Sequence, residues 1–282
     1  MCSVFSSRRC KMNVVIRPNE DEVAIYAYDL VRDRLIHEQA KVMGLPTGST
    51  PLKLYAKIAD GFKRGEVDFA DVHTFNLDEY LGLPEDHPQS YRYFMEVNLF
   101  QHINLKSENI HFLSGMTDDI GAECEDYEAQ MDELGGIKLQ ILGIGRDGHI
   151  GFNEPGTSLN SRTGYVTLTE ETIADNKRFF AKADEVPRWA LSMGVGTILD
   201  ARELLMLATG ANKAEAVAAM LEGPVTSMCT ASALQLHPDV TVVIDDAAAS
   251  KLKNISYYKK TADDSEAMAK YLANARKKAG LE

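Results

Sequence analysis

The chain has 282 residues and a formal net charge of -12, with 45% hydrophobic and 26% charged residues. These fractions are those of an ordinary globular protein. The negative charge argues against a nucleic-acid partner or an anionic membrane surface, both of which need excess Lys and Arg. No apolar run approaches the ~20 residues that a membrane-spanning helix requires. Because the chain is acidic, an anionic ligand would need positively charged groups in its binding site.

The cysteines and histidines indicate a reducing compartment and no metal. The four cysteines lack the paired spacing of a disulfide framework or a zinc site, and none of the seven histidines lies in an HExxH-type pattern. We therefore predict a cytoplasmic protein that needs no metal or other cofactor. Residues 1–11 are expected to be a flexible extension, and a short transit peptide is the alternative.

Strand-like apolar runs alternate with helix-like amphipathic stretches along the chain. The predicted strands are Val14–Ile16, Lys41–Leu45, Val72–Leu77, Lys138–Ile144, Glu203–Ala208 and Val240–Ile244. The predicted helices are Glu20–Glu38, Pro51–Arg64, Gln89–Phe100, Gly121–Leu134, Pro187–Leu199 and Lys213–Leu221. This alternation predicts a single α/β domain, residues 12–282, with a mostly parallel, Rossmann-like open sheet flanked by helices on both faces. Ligands of such sheets bind beyond the carboxyl ends of the strands.

The strand end at 44–51 has the features of an anion-binding turn. Gly48 permits a tight turn, Thr50 is a good N-cap, and Pro51 is a good first helical residue. A helix that begins here would present unpaired N–H groups and its positive dipole end to an anion. A plain turn before a well-capped helix is the alternative.

Adjacent carboxylates, Asp78 and Glu79, follow the strand-like run at 72–77. A carboxylate at the mouth of an apolar strand is a candidate general base, because partial burial raises its pKa toward neutrality. A solvated Asp-Glu pair in a loop is the alternative.

The strand end after Ile144 combines Asp147, His149 and Glu154 within a short, glycine-rich stretch. Histidine is the side chain suited to proton transfer near neutral pH. Flanking carboxylates can orient its ring and hold its charged form. The glycines indicate close approach of the backbone to another group, so the pattern predicts a proton relay.

The same stretch fits a dinucleotide-binding fingerprint at 143–148, with Glu170 near the position of a ribose-binding acid. That fingerprint requires a helix directly after it. Gly151 and Pro155 follow instead, and both residue types oppose a helix. We therefore reject a nicotinamide-dependent dehydrogenase.

A further strand end leads through Gly210 to Lys213, in the first turn of a predicted helix. Positive charge is disfavoured at that end of a helix by its dipole. The position favours a lysine that meets the phosphate of a ligand. A solvated surface lysine is the alternative.

Several segments together resemble the glucosamine-6-phosphate deaminases, which are also called isomerases. The segments are TGSTPLKLY (47–55), FNLDEYLGLP (75–84), GIGRDGHIGFNEPGTSLNSRT (143–163), ALSMGVGTILDA (190–201) and SALQLHP (232–238). They occur in order between about Met12 and Tyr258. The resemblance implies an enzyme that reversibly converts glucosamine 6-phosphate to fructose 6-phosphate and ammonia by acid–base catalysis.

The resemblance also implies roles for individual residues. Asp78 matches the base that moves a proton between C2 and C1 of the opened sugar, and His149 matches the residue that opens the ring. Asp147 and Glu154 match the acidic partners that position His149 and set its charge. The implied substrate-binding residues, chiefly for phosphate, are Thr47, Gly48, Ser49, Thr50, Gly145, Arg178 and Lys213.

The chain departs from the regulated members of this family after the Ser-Arg-Thr segment. Members activated by N-acetylglucosamine 6-phosphate carry basic residues where this chain has Gly164 and Val166. We therefore predict an enzyme without that activation. The loss weakens the inference of a hexamer, although a homo-oligomer stays open, and the sequence does not distinguish a monomer, a dimer and a hexamer. Residues 159–184 are polar and poorly periodic, and are expected to include a mobile lid.

Two other functions stay open at this point. A 6-phosphogluconolactonase would hydrolyse a lactone and would not need Asp78 as a proton shuttle. A catalytically silent sugar-phosphate sensor would keep the phosphate-binding loops and lose the acid–base residues, which are all present here.

Overall fold

The computed structural model describes residues 12–37, 40–176 and 186–278, in which strands and helices alternate. Strands β1 to β10 span Asn13–Arg17, Val42–Leu45, His73–Asn76, Asp78–Tyr80, Ile110–His111, Leu139–Leu142, Gly164–Thr167, Trp189–Ser192, Leu204–Ala208 and Val240–Asp245. Helices α1 to α8 span Glu20–His37, Leu52–Lys63, Tyr91–Asn98, Ile120–Glu133, Glu170–Asn176, Val195–Leu199, Ala214–Glu222 and Ile255–Lys278.

Seven strands form one sheet in the order β1-β10-β9-β6-β2-β3-β5. Every pair in this sheet is parallel. All residues of β9 and β10 are buried, as expected for parallel strands that are covered on both faces. The predicted α/β fold with a mostly parallel sheet is confirmed.

Alternate residues of the strands enter two separate hydrophobic clusters. Val14 and Met206 pack on one face with α4, α6 and α7. Val15 and Leu205 pack on the other face with α1 and α2. Because successive side chains of a strand point to opposite faces, the sheet is covered by helices on both sides, as predicted.

The strand order reverses beside β2. The chain continues from β2 to β3 and β5 on one side, whereas β6, β9 and β10 lie on the other. β2 and β6 are hydrogen-bonded neighbours in which Gly44 pairs with Gln140. The loops that leave β2 and β6 therefore flank a topological switch point, where open α/β sheets bind ligands.

A second sheet, with strands in the order β4-β8-β7, was not expected from the sequence. Its pairs are antiparallel, and Asp78 on β4 pairs with Ser192 on β8, which also pairs with Gly164 on β7. Through the pairing with Ser192, this sheet fixes the backbone of Asp78.

The prediction of one helix over Pro187–Leu199 is wrong. Trp189–Ser192 form β8, and α6 begins only at Val195. Gly194 lies between them in an extended conformation, where a Cβ would lie 2.2 Å from the backbone oxygen of Ser161. The extended backbone of Gly194, packed against Ser161, therefore interrupts the predicted helix between β8 and α6.

Helix α8, after the last strand, was also not expected. It spans 24 residues and contacts β1 at the edge of the sheet. Within the described residues, no helix combines the length and apolar character needed to cross a bilayer.

Candidate active site

A cavity of about 320 Å³ lies at the switch point. It is lined by residues 46–50 after β2, by residues 143–146 after β6, and by Asp78, His149 and Lys213. The volume lies in the range of small-molecule sites. The strand ends selected from the sequence therefore meet at one place.

The loop between β2 and α2, predicted to bind an anion, forms part of the cavity wall. Gly48 has a φ of +95°, a left-handed conformation that favours glycine. The prediction that Thr50 caps α2 is wrong, since Pro51 is the N-cap and no side chain caps the helix. Residues 47–50 line the cavity beside the positive end of the helix dipole. The hydroxyl of Thr50 is therefore not used as a cap.

The loop after β9 brings Lys213 to the same cavity. The N–H of Gly210 donates to both carboxylate oxygens of Asp245 at 3.0 Å, which fixes the start of the loop. Lys213 ends a short 3-10 turn, Ala211–Lys213, and occupies the N-cap position of α7. Lys213 thus lies immediately before α7, whereas it was predicted to lie in the first turn of that helix.

Asp78 is buried in the cavity wall, with 7% of its surface exposed. Burial and the neighbouring Glu79 raise the pKa of Asp78 to about 7, against the opposing effect of the His149 charge. A carboxyl with a pKa near neutrality can both accept and return a proton. This environment suits proton transfer.

Glu79 has a different surrounding from Asp78, because successive side chains of β4 point to opposite faces. Its carboxylate accepts hydrogen bonds from the backbone N–H groups of Tyr80, Tyr91 and Arg92 at 2.8 to 2.9 Å. Burial raises the pKa of Glu79 to about 7, and these hydrogen bonds act in the opposite direction. Glu79 therefore holds the start of α3, while Asp78 faces the cavity.

His149 forms ion pairs with two carboxylates. Its Nδ1 lies 2.8 Å from Asp147 Oδ1 and 3.5 Å from Glu154 Oε2. Burial lowers the pKa of His149, but Asp147 and Glu154 together outweigh burial and raise the pKa to about 9. Burial raises the pKa of Asp147, but its contacts with His149 lower it to about 2. The ring is therefore charged at neutral pH.

Gly145 lies directly against the imidazole of His149. A Cβ at this position would lie 2.4 Å from Cε1 of the ring and 2.5 Å from each ring nitrogen. The N–H of Gly145 donates to the His149 backbone oxygen at 2.9 Å. Gly145 lines the cavity, as the family resemblance implies for a substrate-binding residue. The geometry adds a second reason for glycine at this position, because the imidazole of His149 occupies the space that a side chain would need.

Asp147, His149 and Glu154 are also a candidate metal-binding group within the described residues. Each offers one ligand atom, and these atoms lie within 4.8 Å of one another. Because the charged ring already offsets the carboxylates, a metal ion would have to displace the Nδ1 proton.

Arg146 and Thr172 are among the cavity-lining residues that were not selected from the sequence. Arg146 carries a usable signal, since it is a cation within the relay segment of an acidic chain. Thr172 has no such signal, because its importance lies in a contact with Glu154, 18 positions earlier.

Part of the predicted site lies outside the described residues. This applies to Arg178, to the extension at 1–11 and to positions 177–184 of the predicted lid. The described part of the lid segment contains β7 and α5. No helix follows the fingerprint at 143–148, which agrees with the rejection of a dinucleotide site.

The fold and the cavity define an open-sheet α/β protein with Asp78 and His149 beside the loop at 47–50. Residues 20–243 match the family model described as glucosamine-6-phosphate isomerases/6-phosphogluconolactonase. The chain belongs to this family.

Relatives at high identity are named glucosamine-6-phosphate deaminase. One from Thermoanaerobacter pseudethanolicus is 52% identical over 239 residues, which cover 85% of this chain and 94% of the relative. One from Hahella chejuensis is 53% identical over 248 residues, 88% of this chain and 95% of the relative.

Solved structures agree with this assignment. A structure described as a monomeric glucosamine-6-phosphate deaminase has a TM-score of 0.83 and 44% identity, and covers 85% of this chain and 100% of its own. A 6-phosphogluconolactonase from Trypanosoma cruzi has a TM-score of 0.67 at 17% identity, over 86% of this chain and 98% of its own. The second likeness shows the shared fold alone.

Proposed function

We propose that the chain isomerises and deaminates glucosamine 6-phosphate to fructose 6-phosphate and ammonia, in a reversible reaction. One observation carries the proposal. Asp78 and His149 line the same cavity as the loop at 47–50 and Lys213. A small sugar phosphate can therefore reach a buried carboxyl, an imidazolium and an anion-binding loop at once.

Ring opening is assigned to His149. Its Nδ1 faces Asp147 and Glu154, which leaves Nε2 for the sugar. The imidazolium donates a proton to the ring oxygen as the bond from that oxygen to C1 breaks. The neutral imidazole then takes the proton of the C1 hydroxyl and regains its charge. The two carboxylates hold the ring in place and stabilise its charged form.

Isomerisation and deamination are assigned to Asp78. Its carboxylate takes the proton from C2 of the opened sugar while His149 returns a proton to the C1 oxygen, which forms an enolamine. Asp78 then gives its proton to C1, and an iminium remains at C2. Water adds at C2 with loss of one proton to the His149 imidazole and transfer of the other to nitrogen, the bond from C2 to nitrogen breaks, and ammonia leaves with fructose 6-phosphate. A carboxyl with a pKa of about 7 is suited to both directions of this transfer.

Replacement of Lys213 by alanine is expected to raise KM for glucosamine 6-phosphate by about 10- to 100-fold, because a charged hydrogen bond to phosphate is lost. The kcat should fall much less, since the phosphate is remote from the reacting carbons. Steady-state rates of ammonia release measure both constants. Lys251→Ala is the matched control, because Lys251 is exposed and pairs with Glu215. Equal effects of the two variants would contradict phosphate binding by Lys213.

The activity itself is tested with two substrates. Incubation of the purified protein with glucosamine 6-phosphate is expected to yield ammonia and fructose 6-phosphate in equal amounts. Hydrolysis of 6-phosphogluconolactone without ammonia release from the amino sugar would favour a lactonase. Binding of glucosamine 6-phosphate without either reaction would favour a sensor.

Strand β7 has no cation at the positions where regulated family members are basic. Gly164 and Val166 lie there. The nearby Arg162 is paired with Glu128 at 2.7 Å and with Asp200, so its charge is already balanced. These features support an enzyme without activation by N-acetylglucosamine 6-phosphate.

Rates measured against glucosamine 6-phosphate are therefore expected to follow a hyperbola, with no activation when N-acetylglucosamine 6-phosphate is added. The reason is that β7 lacks groups for the phosphate of an effector. The measurement is a substrate series with and without the acetylated sugar. A sigmoidal curve that becomes hyperbolic on its addition would contradict the prediction.

Two further inferences rest on the family resemblance. We infer that Arg178 binds the substrate phosphate, and that residues 159–184 include a lid. Thr172, at the described end of this segment, lines the cavity, which supports the inference of a lid.

We also infer a cytoplasmic location. It is supported by Cys124 and Cys229, whose thiols are buried and form no disulfide.

A further inference from the structure

The Glu154 carboxylate is held by two threonines at the start of α5. Thr172 Oγ1 donates a hydrogen bond to Glu154 Oε1 at 2.6 Å. Thr169 Oγ1 donates to Thr172 Oγ1 at 3.1 Å, and the Thr169 N–H reaches Glu154 Oε1 at 3.4 Å. A chain of hydroxyl groups therefore ends on one oxygen of this carboxylate.

The two oxygens of Glu154 face different partners. Oε1 accepts from Thr172, whereas Oε2 lies 3.5 Å from His149 Nδ1. Glu154 and Thr172 are 7% and 8% exposed, so water has little access to this contact. Because one oxygen is fixed by a short hydrogen bond to an ionised group, the direction of the other is fixed as well.

The hydroxyl of Thr172 is not required to start α5. The first-turn N–H of Thr172 donates to Thr169 Oγ1 at 3.2 Å, which is an N-cap contact made by Thr169. Leu168 is 4% exposed and packs with Phe152 and Ala190, so it anchors the segment independently. The Thr172 hydroxyl is thus available for the carboxylate.

We propose that Thr172 is a positioning residue that aims the Glu154 carboxylate at His149 and links this orientation to the segment from β7 to α5. Its effect on catalysis rests on the proposed function, whereas its effect on the His149 ring does not. Thr172 also lines the cavity, so the same side chain contacts both the ligand space and the relay. Thr169 supports it through the hydroxyl chain.

Several charged groups face the His149 ring or line the same cavity. They are the paired Asp147 and Glu154, Asp78 across the cavity, and the cations Arg146 and Lys213 on the cavity wall. Loss of the Thr172 hydroxyl removes none of these charges. It removes the 2.6 Å hydrogen bond to Glu154 Oε1 and leaves only the longer contacts of the Thr169 hydroxyl and N–H, at 3.3 and 3.4 Å, to hold the orientation of Glu154. A change in the titration of His149 would therefore report that orientation.

The test is an NMR titration of His149 in the ligand-free protein, with the signal assigned by its loss in His149→Gln. Thr172→Val removes the hydroxyl at nearly constant volume. It is expected to lower the pKa of His149 by about one unit, because one of two opposite charges moves away. The kcat should fall about tenfold with KM within about twofold, since the hydroxyl that is removed donates to Glu154. Thr172→Ser should restore both values.

Thr167→Val is the matched control, because Thr167 is exposed on β7, and it should leave the titration and kcat unchanged. Thr172→Ala is a second deletion of the hydroxyl if the valine variant folds poorly, and it should show the same shift. A wild-type titration in the hydroxyl-free variants, or no rescue by serine, would overturn the proposal. Because the titration needs no turnover, failure of the deaminase assay alone leaves this result interpretable.

Discussion

Replacement of Asp78 by asparagine is expected to lower kcat for ammonia release by about 10³-fold or more, because a general acid–base group is lost. The amide keeps the shape of the carboxyl and cannot accept the C2 proton. The kcat/KM of the unmodified protein should rise through about pH 7, the pKa of Asp78, because the ionised form is the base. It should fall near pH 9, the pKa of His149, because the charged ring is the acid. Ammonia assays across pH 5 to 10 measure both the rise and the fall of kcat/KM.

The control for this variant is Asp246→Asn. Asp246 is an exposed carboxylate that lies 3.7 Å from Lys259, and its replacement should leave the pH profile unchanged. Binding of glucosamine 6-phosphate to Asp78→Asn, measured by calorimetry, should stay within about threefold, since the phosphate supplies much of the binding energy. Substantial activity in the asparagine variant would remove Asp78 from the mechanism.

Replacement of Gly145 by alanine is expected to lower kcat by about 10²-fold or more, because ring opening loses its acid–base group. The new methyl would lie 2.4 Å from Cε1 of His149, so the ring must turn away from Asp147. The pKa of His149 should then fall from about 9 toward its ordinary value near 6.5. Steady-state kinetics and an NMR titration measure the two effects.

Gly121→Ala is the control for added volume at a glycine. A Cβ there would meet only the Asp119 carboxylate, at 3.4 Å, far from the relay in sequence and outside the cavity wall. It should keep full activity. If Gly145→Ala also kept full activity and an unchanged His149 titration, the close packing of the ring would have no catalytic consequence.

Most of the main sheet was predictable because several of its strands are continuous apolar runs, whereas the two-residue strand β5 was not predicted. Leu204–Ala208 and Val240–Asp245 are buried along their full length, and such runs stand out from the amphipathic helices between them. The second sheet was not predictable on these grounds. β4 begins with two carboxylates, which are poor strand formers. The apolar run of β8 continues into α6 with one interrupting glycine, so it resembles a single helix.

The acid–base residues were predictable because each follows a strand of the main sheet, and parallel strands end at one edge. The separate roles of Asp78 and Glu79 follow from the strand β4, whose alternation sends the two carboxyl groups in opposite directions. The support of His149 by Gly145, and of Glu154 by Thr172, depends on distances that arise only in the folded chain. No spacing in the sequence indicates them.

A crystal structure of Asp78→Asn with glucosamine 6-phosphate bound would test the shared cavity most directly. The phosphate is predicted to lie against residues 47–50 and Lys213, with C1 and C2 beside position 78 and the ring oxygen beside Nε2 of His149. A sugar bound elsewhere, or one whose reacting carbons cannot meet position 78 while its ring oxygen meets His149, would contradict the proposed chemistry.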